Sequence, residues 1–288
     1  MNFSKSVINI IQERTSRRTY SGQPLEKDMR EKVINIIESY DLKSPFSQYA
    51  GKARFKLVSV PEFHPNERKK LGTYGLIKGA QDFIVGAVER SKFSREHFGY
   101  LMETIILAAT DIGLGTCWLG GFFNKTLFAD KIESTKDEIV PAITPIGYSI
   151  ERSLKEKMMR SFVRAKKRLP WNQLFFEGDL TNPIKKEQLG KYSQLFEMVR
   201  IGPSAANRQP WRIIKDINKR IFHFYTNKVK FNIGSNYDNY PPLDIGIAVC
   251  HFDLTAKEFR IEGKWVFEEP QISGAEDLLY KITWKGEY

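Results

Sequence analysis

Cysteine is nearly absent from this chain: Cys117 and Cys250 are the two in 288 residues, far apart and each in apolar surroundings. That excludes a disulfide framework and a thiolate zinc site, and both are expected to be core thiols. Histidine is almost as scarce. His64, His97, His223 and His251 fall in no spacing that suits a metal or a nucleophile–base pair, so neither a metal site nor a catalytic triad is expected. No run reaches the roughly 18 apolar residues of a membrane span. The residues after Met1 enter an amphipathic pattern without a leader-like apolar core. A cytoplasmic location without a membrane partner is the resulting expectation. A Gly-x-Gly-x-x-Gly fingerprint for a resident dinucleotide is missing as well.

What is there suits a folded chain. With 41% hydrophobic and 27% charged residues, its length allows a sizeable core divided over roughly two domain-sized units. The net charge of +11 raises nucleic acid as a partner. Yet basic residues interleave with acidic ones, and the densest run, Lys155 to Arg168, is broken by Glu156, Met158, Met159, Phe162 and Val163. No nucleic-acid partner is expected. The charge reads as a solvated basic surface that also attracts small phosphorylated molecules.

Apolar residues at helical spacing predict helices over 3–13 and 25–40, the latter with a stripe of Met29, Val33, Ile36, Ile37 and Tyr40. Strands are predicted over 54–60 and 82–88. The segment 98–112 is apolar nearly all round and predicts a helix buried on most sides, stopped by Gly113-Leu114-Gly115. Pro141 and Pro145 make 139–148 an edge or irregular strand. A second round follows: a helix over 183–201, strands over 211–215 and 220–226, a loop with Asn232, Gly234, Asn236 and Asn239, a helix over 244–259 and a final strand from Lys264. Gly246 and Gly99, Leu254 and Leu107, and Trp265 and Trp118 are all 147 positions apart, while Pro183 and Pro24 are 159 apart. The recurring order of elements reads as an internal duplication, which often preserves an ancestral two-fold dimer in one chain.

Four segments carry candidate chemistry. Arg14-Thr15-Ser16-Arg17-Arg18-Thr19-Tyr20 presents Arg14, Ser16 and Arg18 on one face if extended, a set that suits a phosphate or a polyol bearing an anion. Lys166-Lys167-Arg168-Leu169-Pro170 ends in an X-Pro step that favours extended backbone, so Lys166 and Arg168 would point the same way. In Gly113 to Phe122, the pair Gly120 and Gly121 lets a backbone amide approach a planar ring. Gly202-Pro203-Ser204-Ala205-Ala206-Asn207-Arg208-Gln209-Pro210-Trp211 is a small, amide-rich turn between a helix and a strand. Ser204 and Asn207 can bond backbone and ligand edges, Pro203 stiffens the turn, Ala205 and Ala206 leave room for a ring, and Gln209 and Trp211 brace it. By itself each segment is also an ordinary basic turn, helix cap or loop.

Together these motifs resemble the nitroreductase-type FMN oxidoreductase superfamily: Arg14-x-Ser16-x-Arg18; Gly113-Leu114-Gly115 running into Trp118, Leu119, Gly120 and Gly121; Lys166-x-Arg168; and Pro203-Ser204-x-x-Asn207-x-Gln209-Pro210-Trp211. The resemblance implies an α+β, nitroreductase-like fold of two internally repeated halves, 1–175 and 176–288, each with a central, mainly antiparallel sheet flanked by helices and packed as a pseudo-dimer. It implies FMN bound by Arg14, Thr15, Ser16, Arg18, Trp118, Leu119, Gly120, Gly121, Lys166, Arg168, Pro203, Ser204, Ala205 and Asn207. Arg14, Lys166 and Arg168 would clamp the phosphate. Arg18 would lie at the N1 edge, an amide of Gly120 or Gly121 would face N5, and Thr73 to Lys78 would approach the pyrimidine edge.

This chain departs from the family pattern in having one complete set. Ser44-Pro45-Phe46-Ser47-Gln48 stands where the first half would carry the amide-rich turn. Glu177-Gly178-Asp179 and Phe259-Arg260-Ile261-Glu262-Gly263 replace the arginine and glycine motifs in the second. One FMN per chain, formed between the two halves, is therefore expected. The implied activity is ping-pong transfer from NADH or NADPH to a small-molecule electron acceptor such as a nitroaromatic or a quinone, without a protein nucleophile. An FMN-binding storage or sensor protein without turnover is the alternative, and association of pseudo-dimers into larger oligomers is left open.

Overall fold

The computed structural model describes residues 3–39, 42–68, 70–71, 73, 75–228 and 240–287. Tyr40, Tyr74 and the Asn232–Asn239 loop singled out above lie outside them. The chain divides into two compact units, Met1–Ala165 and Lys166–Tyr288.

The first unit runs α1 (Val7–Glu13), α2 (Lys27–Ile37), β1 (Ala53–Ser59), α3 (Pro65–Arg68), β2 (Asp82–Glu89), α4 (Ser94–Asp111), β3 (Gly115–Thr116), α5 (Lys125–Lys131), β4 (Glu138–Ile139), β5 (Ile143–Gly147) and α6 (Leu154–Phe162). Its sheet has the order β1-β2-β5-β3, with β4 also on β2, and every pairing is antiparallel. β2 is buried from Asp82 to Val88, which is why its sequence is apolar on both faces rather than alternating. Gly86 in this strand makes room for aromatic packing. A Cβ there would meet the Phe55 ring at 2.5 Å and the Phe98 ring at 2.6 Å.

Of the two alternatives expected for β5, an edge or an irregular strand, the second holds. It lies between β2 and β3, not at an edge, and is fully buried. Ile143 N–H donates to Leu119 O on the β3 side, so Pro145, two residues on, turns its missing donor to that same side. There the ladder is already irregular, because Cys117 N–H donates to the Thr144 hydroxyl at 3.0 Å. α4 begins four residues earlier than predicted and buries nearly its whole circumference, Glu103 and His97 included. Burial pushes the His97 imidazole down to about 4, and its Nδ1 pairs with Ser44 Oγ at 2.7 Å. Gly113, at φ +84°, ends the helix, and Leu114 N–H returns to Ala109 O.

The second unit contains β6 (Phe175–Glu177), α7 (Ser193–Ile201), β7 (Trp211–Lys215), β8 (Ile221–Asn227), α8 (Tyr240–Glu258), β9 (Gly263–Val266) and β10 (Leu278–Gly286). The sheet order is β6-β7-β8-β10-β9, parallel at β6–β7 and antiparallel elsewhere. Its core is aromatic: Phe196, Phe222, Phe252 and Trp284 pack with centroids 5.1–5.9 Å apart. The helix expected over 183–201 is instead a 3-10 segment, Lys186–Tyr192, followed by α7, because Gly190 takes φ +51° and ψ −125°. β10 was not anticipated as a separate strand.

The units part at Ala165 rather than at residue 175. A boundary at 175 would cut β6, which pairs Phe175 with Ile213. It would also strand Leu169, whose N–H donates to Gln209 Oε1 at 2.9 Å. Each unit repeats one arrangement, a long buried helix (α4 or α8) with a mainly antiparallel sheet. In each, a carboxylate of that helix holds a tryptophan Nε1: Glu103 with Trp118 at 2.7 Å, Asp253 with Trp265 at 2.8 Å.

Among the described residues no helix is long and apolar enough to cross a membrane, and no group of His, Cys, Asp and Glu could hold a metal ion. Cys117 and Cys250 are both buried and form no disulfide, as expected of core thiols.

Candidate functional site

In the first unit the segment from Arg14 to Tyr20 is extended and wedged between two partners. Ser16 bridges Thr116, and Thr19 bridges Lys78. Arg17 N–H donates to Thr116 O, Lys78 N–H to Arg18 O and Tyr20 N–H to Lys78 O, each at 2.8 Å. The alternation of this backbone does bring Arg14, Ser16 and Arg18 together, around Cys117. Burial pushes the Cys117 thiol up, while the Arg18 and Arg14 charges and a hydrogen bond with Ser16 pull it back.

Thr15 turns the other way, where its hydroxyl accepts from Arg152 Nη2 at 3.3 Å and Arg160 Nη1 at 3.1 Å. Arg17 Nη2 donates to Ile150 O. Two buried carboxylates hold this cluster. Glu103 on α4 receives Trp118 Nε1 and faces Arg14 Nε at 3.8 Å. Glu156 on α6 accepts from Thr19 at 2.8 Å and faces Arg152 Nε at 3.2 Å. Burial and the neighbouring Arg152 charge pull the Arg160 guanidinium down, with Arg18 and Arg14 adding to the effect against Glu156.

Leu119 is buried and exchanges two 2.9 Å backbone hydrogen bonds with Ile143, which fixes the bend at Gly120 and Gly121 that follows. On the far side of the Arg14–Tyr20 segment, the stretch leading to Lys78 borders a cavity of about 570 Å³ lined by Val60, Leu71, Ile77, Phe83 and Phe123.

In the second unit the amide-rich turn is tightly braced. Ala206, Asn207 and Gln209 take φ of +49°, +57° and +50°, a left-handed geometry that non-glycine residues adopt at some energetic cost. Ser204 Oγ accepts from Gln209 N–H at 2.8 Å, and Asn207 N–H donates to Ser204 O at 2.9 Å. Pro203 lies half-buried between the end of α7 and this turn. Asn207 is occupied at both ends, with Nδ2 on Lys167 O at 2.9 Å and Oδ1 accepting from Arg168 Nη1 at 3.0 Å.

Arg168 also donates through Nε and Nη2 to Ile201 O at 3.2 and 2.9 Å. These contacts give Arg168 a bracing role in this structure. Its guanidinium ties the turn to the end of α7, while Lys166 is exposed two residues before it. Gln209 is a brace, as expected. In the first-half counterpart, 44–48, Ser44 and Phe46 are buried, Phe46 against Phe93 at 5.8 Å, while Ser47 and Gln48 are exposed.

Ala205 N–H donates to Asp244 Oδ1 at 3.0 Å. Burial pushes the Asp244 carboxyl well above the usual carboxylate range, and the Ala205 hydrogen bond only partly opposes this. A raised folded-state value means that the native state keeps a proton the unfolded chain releases. The associated stability is complete below the unfolded value and is lost as pH rises through the folded one. Asp244→Asn keeps an acceptor for Ala205 without a charge. The variant is expected to be more stable than the wild type at pH 8, with the gap closing toward pH 4 at up to about 1.4 kcal/mol per pH unit. Urea denaturation at pH 4, 6 and 8 measures this, and parallel stability curves would refute it.

The family model described as "Putative TM nitroreductase" matches residues 6–256. The chain belongs to that family. Among solved structures it is similar to a putative nitroreductase from Thermotoga maritima, 20% identical, with 99% of this chain and 94% of that one covered and a TM-score of 0.58. It is also similar to an FMN-dependent nitroreductase from Clostridium difficile R20291, 20% identical, covering 51% of this chain and 89% of that one at a TM-score of 0.40. No curated protein matches the chain. Membership of a nitroreductase family places the chain among oxidoreductases, on a nitroreductase-like α+β fold.

The nitroreductase cofactor can be tested against the residues of the first unit. Arg14 Nε and Arg152 Nε are buried without a hydrogen-bond partner, and Glu103 and Glu156 offset two of the five guanidiniums of Arg14, Arg17, Arg18, Arg152 and Arg160. The Arg14 side chain is 7% exposed and that of Arg152 28%, and half-buried guanidiniums that outnumber their carboxylates fit an anionic group such as a flavin phosphate. Arg152 and Arg160 were missed at the sequence level. The signal was present: Arg152, Glu156 and Arg160 recur every four residues, one face of a helix.

Proposed function

We propose that this nitroreductase-family chain is an FMN-dependent NAD(P)H oxidoreductase that reduces nitroaromatics, quinones or another small electrophile by a ping-pong hydride mechanism. The observation that carries this reading is the arginine cluster, in which the Arg14 and Arg152 Nε atoms face carboxylates but make no hydrogen bond, beside the Trp118–Gly121 bend in a nitroreductase-family chain. FMN would bring a phosphate of about −1.5 to −2 charge near neutral pH. Arg14, Arg152 and Arg160 would bind it, with Ser16 and Thr15 supplying hydroxyls. Arg18 would place a positive charge at the ring edge that gains electron density. Glu103 orients Trp118 and Arg14 and would keep both in register with the ring. The cofactor supplies the hydride chemistry, so the protein positions and tunes it.

The sequence motifs support one flavin per chain that draws on residues of both halves, Ser204 and Ala205 of the amide-rich turn included. The Arg14-x-Ser16-x-Arg18 run and the Asn207-x-Gln209-Pro210-Trp211 turn each occur once.

The purified protein is expected to be yellow, with flavin approaching one per chain. Anaerobic NADH or NADPH should bleach it, and a nitroaromatic or a quinone should restore the colour. Colourless protein that takes up no FMN would overturn the reading. Bound flavin that neither donor reduces would instead support a storage or sensor role.

A further inference from the structure

Helix α6 is amphipathic in the inverse sense. Its inward side is charged: Glu156 is buried against Thr19 and Arg152, and Arg160 reaches Thr15. Its outward side is apolar. Leu154, Met158 and Phe162, spaced by four residues, are 78%, 72% and 85% exposed, and Ile150 just before the helix is 47% exposed. Lys155 and Lys157 are exposed beside this stripe, and Arg164 is exposed one turn beyond it. The exposed acid of the segment, Glu151, is already paired with Lys157 at 3.1 Å. Clustered exposed apolar side chains of this kind mark an interaction surface.

We propose that this face docks peripherally on an anionic lipid surface. Leu154, Met158 and Phe162 would insert below the headgroups while Lys155 and Arg164 meet lipid phosphates. The charge of the rim selects the occupant. With Glu151 paired to Lys157, a second copy packed face to face would bring another Lys155 and Arg164 to the same rim, whereas an anionic bilayer complements them. The shape agrees. The stripe consists of protruding, flexible or flat side chains, which suit a deformable apolar medium, and a nine-residue helix lying in the interface needs no span. The expectation of no membrane partner considered only spanning segments, and a peripheral contact is a different case.

Flotation of the full chain with phosphatidylglycerol-containing vesicles tests this, with pure phosphatidylcholine vesicles and the variant Met158→Ser/Phe162→Ser as comparisons. Binding to the anionic vesicles is expected to exceed that to neutral ones at least tenfold, and to fall at least tenfold in the variant. The variant should keep the wild-type circular dichroism and thermal midpoint, since both side chains are exposed. No vesicle binding would overturn the proposal. So would binding that salt abolishes but the variant does not alter, or a wild-type dimer that the variant converts to monomer.

Discussion

Arg14→Ala combined with Arg152→Ala is expected to weaken FMN binding by roughly 10²- to 10⁴-fold, from about 1.5–3 kcal/mol for each hydrogen bond to a charged group. Both guanidiniums are held in place by carboxylates, Arg14 beside Glu103 and Arg152 beside Glu156, so little side-chain ordering opposes their use. The loss should be specific to the phosphate. Riboflavin, which lacks that group, should bind the wild type and the double variant with nearly equal affinity, and the preference for FMN should collapse. Lys125→Ala with Lys136→Ala removes the same net charge from exposed positions and should leave FMN affinity within about threefold, since exposed charges at a distance are screened. Flavin fluorescence titration measures all four. An FMN preference that survives in the double variant would remove the arginine cluster from the site.

Glu103→Leu is expected to destabilise the first unit by about 3–5 kcal/mol. Glu103 is fully buried, accepts the Trp118 indole hydrogen and balances a nearly buried Arg14, so the substitution orphans a donor and a cation at once. The corresponding change in the second unit, Asp253→Leu, should cost about 1 kcal/mol. It too releases a tryptophan Nε1, but the cation on Asp253 is Lys257, which is 66% exposed and free to turn to water. Chemical denaturation followed by tryptophan fluorescence separates these outcomes. Equal costs at the two positions would show that the indole bond, not the buried charge, decides the energy.

Much of the fold could be read directly from periodicity. The strand at 211–215 was placed to the residue, α4 was marked by apolar residues nearly all round, and α8 was expected over 244–259. For β5 the two prolines left an edge or an irregular strand open, and only the register shows that Pro145 points to an irregular stretch inside the sheet. The helix expected over 183–201 failed at a glycine whose left-handed backbone no composition rule specifies.

The candidate site was legible where backbone alternation alone sets direction, as with Arg14, Ser16 and Arg18. It was not legible where a long side chain chooses its partner in space. The contacts of Arg168 with Ile201 O and Asn207 Oδ1 depend on where α7 ends, which no motif specifies. Arg152 and Arg160 were hidden in a run that looked like solvated basic surface. The unusual feature of α6 is that its apolar Leu154, Met158 and Phe162 face outward while its charged Glu156 is buried.

The hydrogen bonds that pin Ser204 to Gln209 have an entropic consequence. With Ala206, Asn207 and Gln209 already held in left-handed geometry, the turn has little freedom left to lose when a flat molecule comes to rest on it. As a wall of the proposed flavin site, the turn would discriminate by outline and thickness instead of moulding itself to each guest, admitting planar molecules broadly and turning puckered ones away.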